Sequence, residues 1–164
     1  GYRWAVHDAP LIQNGGQILR TKSSGIIGSD GQAIDVDLSG FSAVAINDLP
    51  PATSSDEEIA HTYVERDSAI TLQLKAVIED LVPGTYHLDL YFPASLSKAK
   101  GERMIQINFQ EENREVDLYN QGSILKKVHF PNILIEEPVL AIRLEGTKGN
   151  PVISGAKLMH IKDL

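Results

Sequence analysis

No cysteine occurs among the 164 residues, which excludes a disulfide framework and any thiolate metal site. The redox compartment stays open, because a cysteine-free chain suits cytosol, periplasm and medium alike. One tryptophan, five tyrosines and four phenylalanines give an aromatic share of only 6%, so flat platforms for a ligand are few. Nothing approaches the apolar run of about 20 residues that a membrane-spanning helix needs. Positive charge is also scarce. Fifteen Lys and Arg against 22 Asp and Glu leave a net charge of −7, which argues against a nucleic-acid surface. The basic clusters, Lys98/Lys100/Arg103 and Lys126/Lys127, read as solvated strand ends or loops.

Motifs of catalysis are missing as well. His7, His61, His87, His129 and His160 are scattered singly, without the i, i+4 pairing of a helical zinc site, and read as surface or satisfied core histidines. The neighbouring carboxylates Glu111-Glu112, Glu136-Glu137 and Asp56-Glu57-Glu58 read as solvated loops, since adjacent strand residues point opposite ways and make no acid/base pair. No serine sits in a G-x-S-x-G setting and no Gly-rich loop joins a strand to a helix; Asn14-Gly15-Gly16 is too short for one. Loop Asp, Asn and backbone carbonyls suit calcium, but no stretch has the spaced acidic pattern of a dedicated calcium loop. No catalytic residue, metal ligand or cofactor is therefore assigned, with a structural calcium ion left open.

What the chain does have is period-two alternation. After the turn Pro83-Gly84-Thr85, Tyr86, Leu88, Leu90 and Phe92 share one side of a strand, with Thr85, His87, Asp89 and Tyr91 on the other. A polar loop over 93–101 leads to a second strand with Ile105, Ile107 and Phe109 inward and Gln106, Asn108 and Gln110 outward. Each large side chain buried on such a face contributes roughly 1.5–3 kcal/mol, so this pair is expected to anchor a sheet. Further strands are expected at 34–38, 41–46, 69–78, 115–119, 124–130 (stopped by Pro131), 139–144 and 152–161, with Gly155 a bulge or close approach. A short helix is expected between Asp56 and Arg66, and 1–33 is poorly patterned. About eight to ten short strands with regular turn signals predict an all-β, two-sheet antiparallel sandwich or jelly roll. The length suits one domain over 1–164. The start at Gly-Tyr-Arg-Trp has no signal-peptide pattern and reads as the edge of a piece of something longer.

Aromatic and planar polar side chains near strand ends are the remaining chemistry: Trp4, Tyr63, Tyr91 and Tyr119, with Arg66, Asp117 and Asn120. Sugar recognition uses this kit. An aromatic face covers the ring's C–H patch while amides, guanidinium or carboxylate bond the hydroxyls.

Three pieces, in order, resemble the malectin-like group of carbohydrate-binding domains. His61-Thr62-Tyr63-Val64-Glu65-Arg66 is similar to the family's Thr-Glu-Arg segment, with Val64 in place of the threonine. Pro83 to Ala94 and then Gly101-Glu102-Arg103-Met104-Ile105-Gln106-Ile107-Asn108 resemble its Gly-x-Tyr strand, loop and Gly-x-Arg-x-Phe strand. Pro151 to Leu158 is similar to its closing strand. The resemblance covers about residues 56–162. The family's Tyr-Arg-x-Asn-Cys-Gly-Gly opening is absent, Ser95 follows Ala94 where an acid is expected nearby, and Ser95-Leu96-Ser97 stands where the family has a sugar-contacting Tyr-Phe pair.

The resemblance implies a galactose-binding-like sandwich of the kind found as accessory modules in large bacterial glycoside hydrolases, including the family 2 β-glycosidases. It implies an oligosaccharide or polysaccharide held by loops at one end, those following Arg66, Phe92 and Tyr119, with Tyr63, Arg66, Asp117 and Tyr119 as the contacts. The reading is a non-catalytic module of a secreted or periplasmic enzyme, partnered by a glycan and by the enzyme's other domains rather than by nucleic acid or membrane. A rival is a structural domain that docks on its neighbours and binds no sugar. A third reading, a small catalytic jelly roll acting as lyase or hydrolase, needs His87 and Asp89 to converge with Gln106 and Asn108.

Overall fold

The computed structural model describes residues 59–76 and 82–164 without a break; ahead of them it describes the backbone of short segments between 2 and 46, and the single residues Leu49, Ser54 and Glu57. The early strands are β1 (Tyr2–Ala5), β2 (Ile12–Asn14), β3 (Gln17–Arg20), β4 (Ser23–Ser24), β5 (Ile26–Ile27), β6 (Ile34–Val36) and β7 (Phe41–Ala45). Then come β8 (Thr62–Glu65), β9 (Ile70–Ala76), β10 (Gly84–Pro93), β11 (Met104–Phe109) and β12 (Glu112–Asp117). The chain closes with β13 (Leu125–Ile135), β14 (Leu140–Lys148), β15 (Val152–Ile153) and β16 (Gly155–Asp163). All described pairings are antiparallel. Helical structure among the described residues is limited to Glu57 and Ile59, just ahead of β8, and a 3-10 turn at Ala94–Leu96.

The described strands form three sheets, in the orders β13-β10-β16-β1-β5, β12-β11-β14-β9-β6-β4 and β15-β8-β7-β3-β2. The first two face each other. Leu88, Leu90, Phe130 and Leu158 of one share a single buried cluster with Ile70, Leu72, Ile105, Ile107, Ile142 and Leu144 of the other. The rings of Phe109 and Phe130 meet edge to face at 4.9 Å across this core. The third sheet adds Val64, Val152 and Ile153 to the same cluster. The all-β antiparallel sandwich expected from alternation is what forms, with that third sheet in addition.

β10 and β11, the pair expected to anchor a sheet, are therefore not neighbours in one sheet. They sit in opposite sheets with their apolar faces meeting. β10 instead pairs with β13 on one edge and β16 on the other. At its start a Cβ on Gly84 would stand 2.3 Å from the Lys162 carbonyl oxygen, so only glycine lets β16 come this close.

Four further expectations need correction. Tyr91, expected outward, is 1% exposed and packs with Ile59 and Leu125 in a second apolar cluster, which covers the other face of β10 at its far end. The short helix expected between Asp56 and Arg66 is confined to its start: Glu57 and Ile59 are helical, and from Thr62 the chain is strand, because Thr62-Tyr63-Val64 is β-branched and aromatic and Val64 pairs with Ile153. β13 runs through Pro131: it is an edge strand, and the ladder shifts so that Pro131 and Asn132 both oppose His87. A proline that donates no ladder bond is tolerated at such an edge bulge. Finally, the poorly patterned 1–33 supplies β1 to β5, whose side chains, Trp4 included, lie outside the described residues. Of the strand expected at 69–78, the last two residues lie outside them too.

The fully buried Leu90 gives a direct check of this arrangement. Leu90→Asp places an unpaired charge in the core at a cost of several kcal/mol, a large share of a typical stability of about 5–15 kcal/mol. The variant is expected to lose the cooperative thermal transition, whereas Gln73→Asp, on the exposed side of β9, should melt close to the parent protein.

Candidate functional site

Three chain reversals meet where β8 ends, β11 begins and β14 turns into β15. Arg103, just before β11, is the residue that joins them. Its Nη2 donates to Glu65 Oε2 at 3.2 Å and to the Asn150 carbonyl at 2.9 Å. The guanidinium is only 17% exposed, not the solvated loop cation that its place beside Lys98 and Lys100 predicts. Gly149 has a φ of +77° and presents its Cα face to Arg103; a Cβ there would stand 3.1 Å from Nε. The turn thus needs glycine both for its left-handed backbone and for the room it leaves. On the main chain, Arg103 accepts from the Leu118 N–H at 3.0 Å.

Asp117 fastens the same loops from the other side. Its Oδ2 accepts from the Gly101 N–H at 2.8 Å and its Oδ1 from the Tyr119 N–H at 3.0 Å. Asn120 Nδ2 donates to the Leu125 carbonyl at 2.7 Å, and the Ala94 N–H donates to the Ile124 carbonyl at 3.0 Å. The Arg66 N–H donates to the Pro151 carbonyl at 3.4 Å. Loops following Arg66, Phe92 and Tyr119 thereby lie at one end of the sandwich, cross-linked by Arg103 and Asp117.

The four sequence-assigned contacts land at this end in different states. Tyr63 is half-buried on β8 and leans on the apolar core. Its phenol is held above the ordinary tyrosine value, first by burial and then by the Glu65 carboxylate, with Arg103 pulling the other way. Arg66 is exposed beside Pro151. Tyr119 is half-buried in the loop after β12. Asp117 has one backbone donor on each carboxylate oxygen, so it shapes the loops. Of the wider set, Asn120 is tied to Leu125 and Tyr91 is enclosed.

Next to this network lies an open polar depression of about 200 Å³, between the loop after β8 and the β14–β15 turn. Asp67, Ser68, Arg143, Glu145 and Asn150 are among its lining residues. Arg143 Nε donates to Glu145 Oε1 at 2.7 Å, which fixes both side chains on the outer face of β14. None of these residues stands out in the sequence. The usable signals are the Arg-x-Glu spacing, which puts both on one face of a strand, and the Gly-Glu-Arg of 101–103.

Chemically the end can donate and accept hydrogen bonds, and among the described residues there the side-chain bonds of Asp117, Arg103 and Arg143 join no nucleophile to a base. His87 and Asp89 lie on the outer face of the first sheet, and Gln106 and Asn108 on the outer face of the second. With the inner faces meeting at the core, these two pairs point away from each other, and the convergence that a catalytic jelly roll needs is not formed. Among the described residues no group of three or more His, Asp or Glu is placed to hold a metal ion.

No family model matches the chain and no curated protein matches it. Solved structures share its fold. A calcium-binding mutant of beta-glucuronidase 2 from Bacteroides uniformis is 16% identical with a TM-score of 0.54, covering 85% of this chain and 14% of that one. The ANX1 ectodomain from Arabidopsis thaliana is 12% identical with a TM-score of 0.56, covering 95% and 54%. A chain of the plant peptide RALF23 complex with FER and LLG2 is 12% identical with a TM-score of 0.58, covering 76% and 34%. This chain thus spans a small part of the glucuronidase and about half of the ANX1 ectodomain.

The cross-link through Arg103 has a titration signature. A raised folded-state value for Tyr63 means the folded form holds its proton more tightly. This contribution is complete below the unfolded value of about 10 and fades as pH rises through the folded value. Glu65→Gln should move the phenol back toward the ordinary value, and Arg103→Met should push it higher. Arg103→Met also leaves the Asn150 carbonyl and the Glu65 carboxylate without this donor, at a cost of about 1–3 kcal/mol. Phenolate absorbance titrations and thermal melts of the two variants check both statements; equal Tyr63 titration in all three proteins contradicts them.

Proposed function

We propose that this chain is a non-catalytic, carbohydrate-binding-type module of a larger glycoside hydrolase, working in the periplasm or outside the cell. The observation that carries the reading is the joined loop end: three loops tied by Arg103 and Asp117 beside a polar depression lined by Asp67, Ser68, Arg143, Glu145 and Asn150. Carboxylate, amide, hydroxyl and guanidinium at one rim match the alternating donors and acceptors of vicinal sugar hydroxyls. In this reading Arg66, which leads into the loop that lines the depression, and the half-buried Tyr63 and Tyr119 at the same end of the sandwich add a donor and a surface for a ring's C–H face. The resemblance to malectin-like domains and the fold shared with a stretch of a bacterial β-glucuronidase support the same class. Calcium has no part in the proposed contacts.

Each polar contact nets about 1–2 kcal/mol after desolvation, so a few of them give a dissociation constant on the order of 0.1–1 mM. Titration calorimetry with gluco-, galacto- and manno-oligosaccharides should show binding in this range for at least one series. Asp67→Ala, Arg66→Ala and Tyr119→Ala should weaken it several-fold while leaving the melting temperature in place. Absence of heat for every sugar at several times these concentrations contradicts the proposal.

A second reading has an observation of its own. Val82, Leu134, Met159, Ile161 and Leu164, the large apolar side chains exposed among the described residues, all lie toward the opposite end of β10 or on its neighbours. Such a concentration is what a face docked on another domain displays. The two readings use different surfaces, so sugar binding and domain docking can coexist in one module.

A further inference from the structure

The bulge on β13 brings together groups that the proposed sugar site does not use. Tyr86 pairs with Ile133 and Leu88 with Phe130, which leaves His87 alone opposite Pro131 and Asn132. Asn132 takes a left-handed φ of 54°, a conformation asparagine tolerates better than most residues. The shift leaves its N–H outside the ladder, and that N–H donates to His87 Nδ1 at 3.2 Å. The His87 ring meets His129 in a tilted, edge-on arrangement with centroids 5.2 Å apart. His129 Nδ1 in turn lies 2.5 Å from Asp89 Oδ1.

These contacts assign protons. An imidazole nitrogen that accepts a hydrogen bond carries no proton, so the bond from Asn132 requires the form of His87 with its proton on Nε2 alone. His129 is different: Nδ1–H donates to the Asp89 carboxylate, and it keeps this bond whether or not Nε2 is protonated. Proton uptake by His87 places N–H on both ring nitrogens. Nδ1 then confronts the Asn132 N–H donor to donor, and the bond that holds the bulge is lost.

We propose that His87 is a proton-operated latch on the β13 bulge, closed when the ring is neutral and open when it is charged. The charged and titratable groups around it are Asp89 on its own strand, His129 and Lys127 on β13, and Lys157 on β16 opposite Asp89; Met159 is its direct partner on β16. Asp89 bonds His129 through Oδ1, whereas the hydrogen bond of the His87 ring is the one from the Asn132 N–H. The opening is local. On one side of the bulge Arg114 Nη1 donates to the His129 carbonyl at 3.3 Å, and on the other Gln110 Nε2 donates to the Leu134 carbonyl at 2.7 Å. These two ties hold the strand edge while Pro131 and Asn132 come free. Since Met159 and Leu134 are both exposed, the latch also puts a charge beside the apolar surface when it opens.

Heteronuclear NMR of the intact chain, titrated from about pH 8 to about pH 5, the interval in which histidine charges, tests this. The Asn132 amide proton should move upfield, as a released hydrogen bond does, along the same curve as the His87 ring. Gln in place of His87 keeps an acceptor but cannot titrate, so H87Q should hold the Asn132 amide still; H129Q should leave its movement intact. An Asn132 amide that stays put while His87 titrates overturns the latch. So does a movement that persists in H87Q, or one that vanishes only in H129Q.

Discussion

Everything in this molecule is placed by β10, which is hydrogen-bonded along both edges and buried on its inner face. β13 lies on one side and β16 on the other, and Tyr86, Leu88, Leu90 and Phe92 are completely enclosed. A strand so constrained cannot slip by one residue without sending this whole row into solvent. Its fixed register then positions three surfaces. Its last residues deliver the chain to the loop end, its first residues meet the exposed apolar cluster, and its outer face carries His87 and Asp89.

The loop end is assembled mainly from charged groups that spend their valence on the protein. Asp117 holds two backbone amides and Arg103 holds a carboxylate and a carbonyl. Such bonds are worth more in a partly desolvated setting than on an open surface. They order the loops beside the depression that Asp67, Ser68, Arg143, Glu145 and Asn150 help to line. Loops ordered before binding lose less entropy when a ligand arrives, which suits this end to the contact proposed for it.

Much of the sandwich was legible in the chain because alternation is a local signal: Leu88, Leu90, Ile105, Ile107, Ile142 and Leu144 reveal their burial by spacing alone. Which strands pair was not legible, since β10 and β11 follow each other in sequence yet belong to different sheets. Tyr91 was misread because a distant segment, Ile59, covers it. The continuation of β13 through Pro131 depends on its being an edge, a property of the whole sheet. Tyr63, Arg66, Asp117 and Tyr119, named by resemblance, come together at the joined loop end. Arg103 showed only as part of Gly101-Glu102-Arg103, and its role was hidden because its partners lie 38 and 47 positions away; the rim of the depression carried no signal beyond the Arg-x-Glu spacing of Arg143 and Glu145.

Amide chemical-shift mapping during titration with the oligosaccharide series tests the central claim most directly, because it locates the contact surface. Shifts confined to residues 66–69, 98–103, 117–124 and 143–151 are the expected result. Saturable shifts centred instead on Val82, Leu134 and Met159, or no shifts at the loop end with any glycan, would contradict the account.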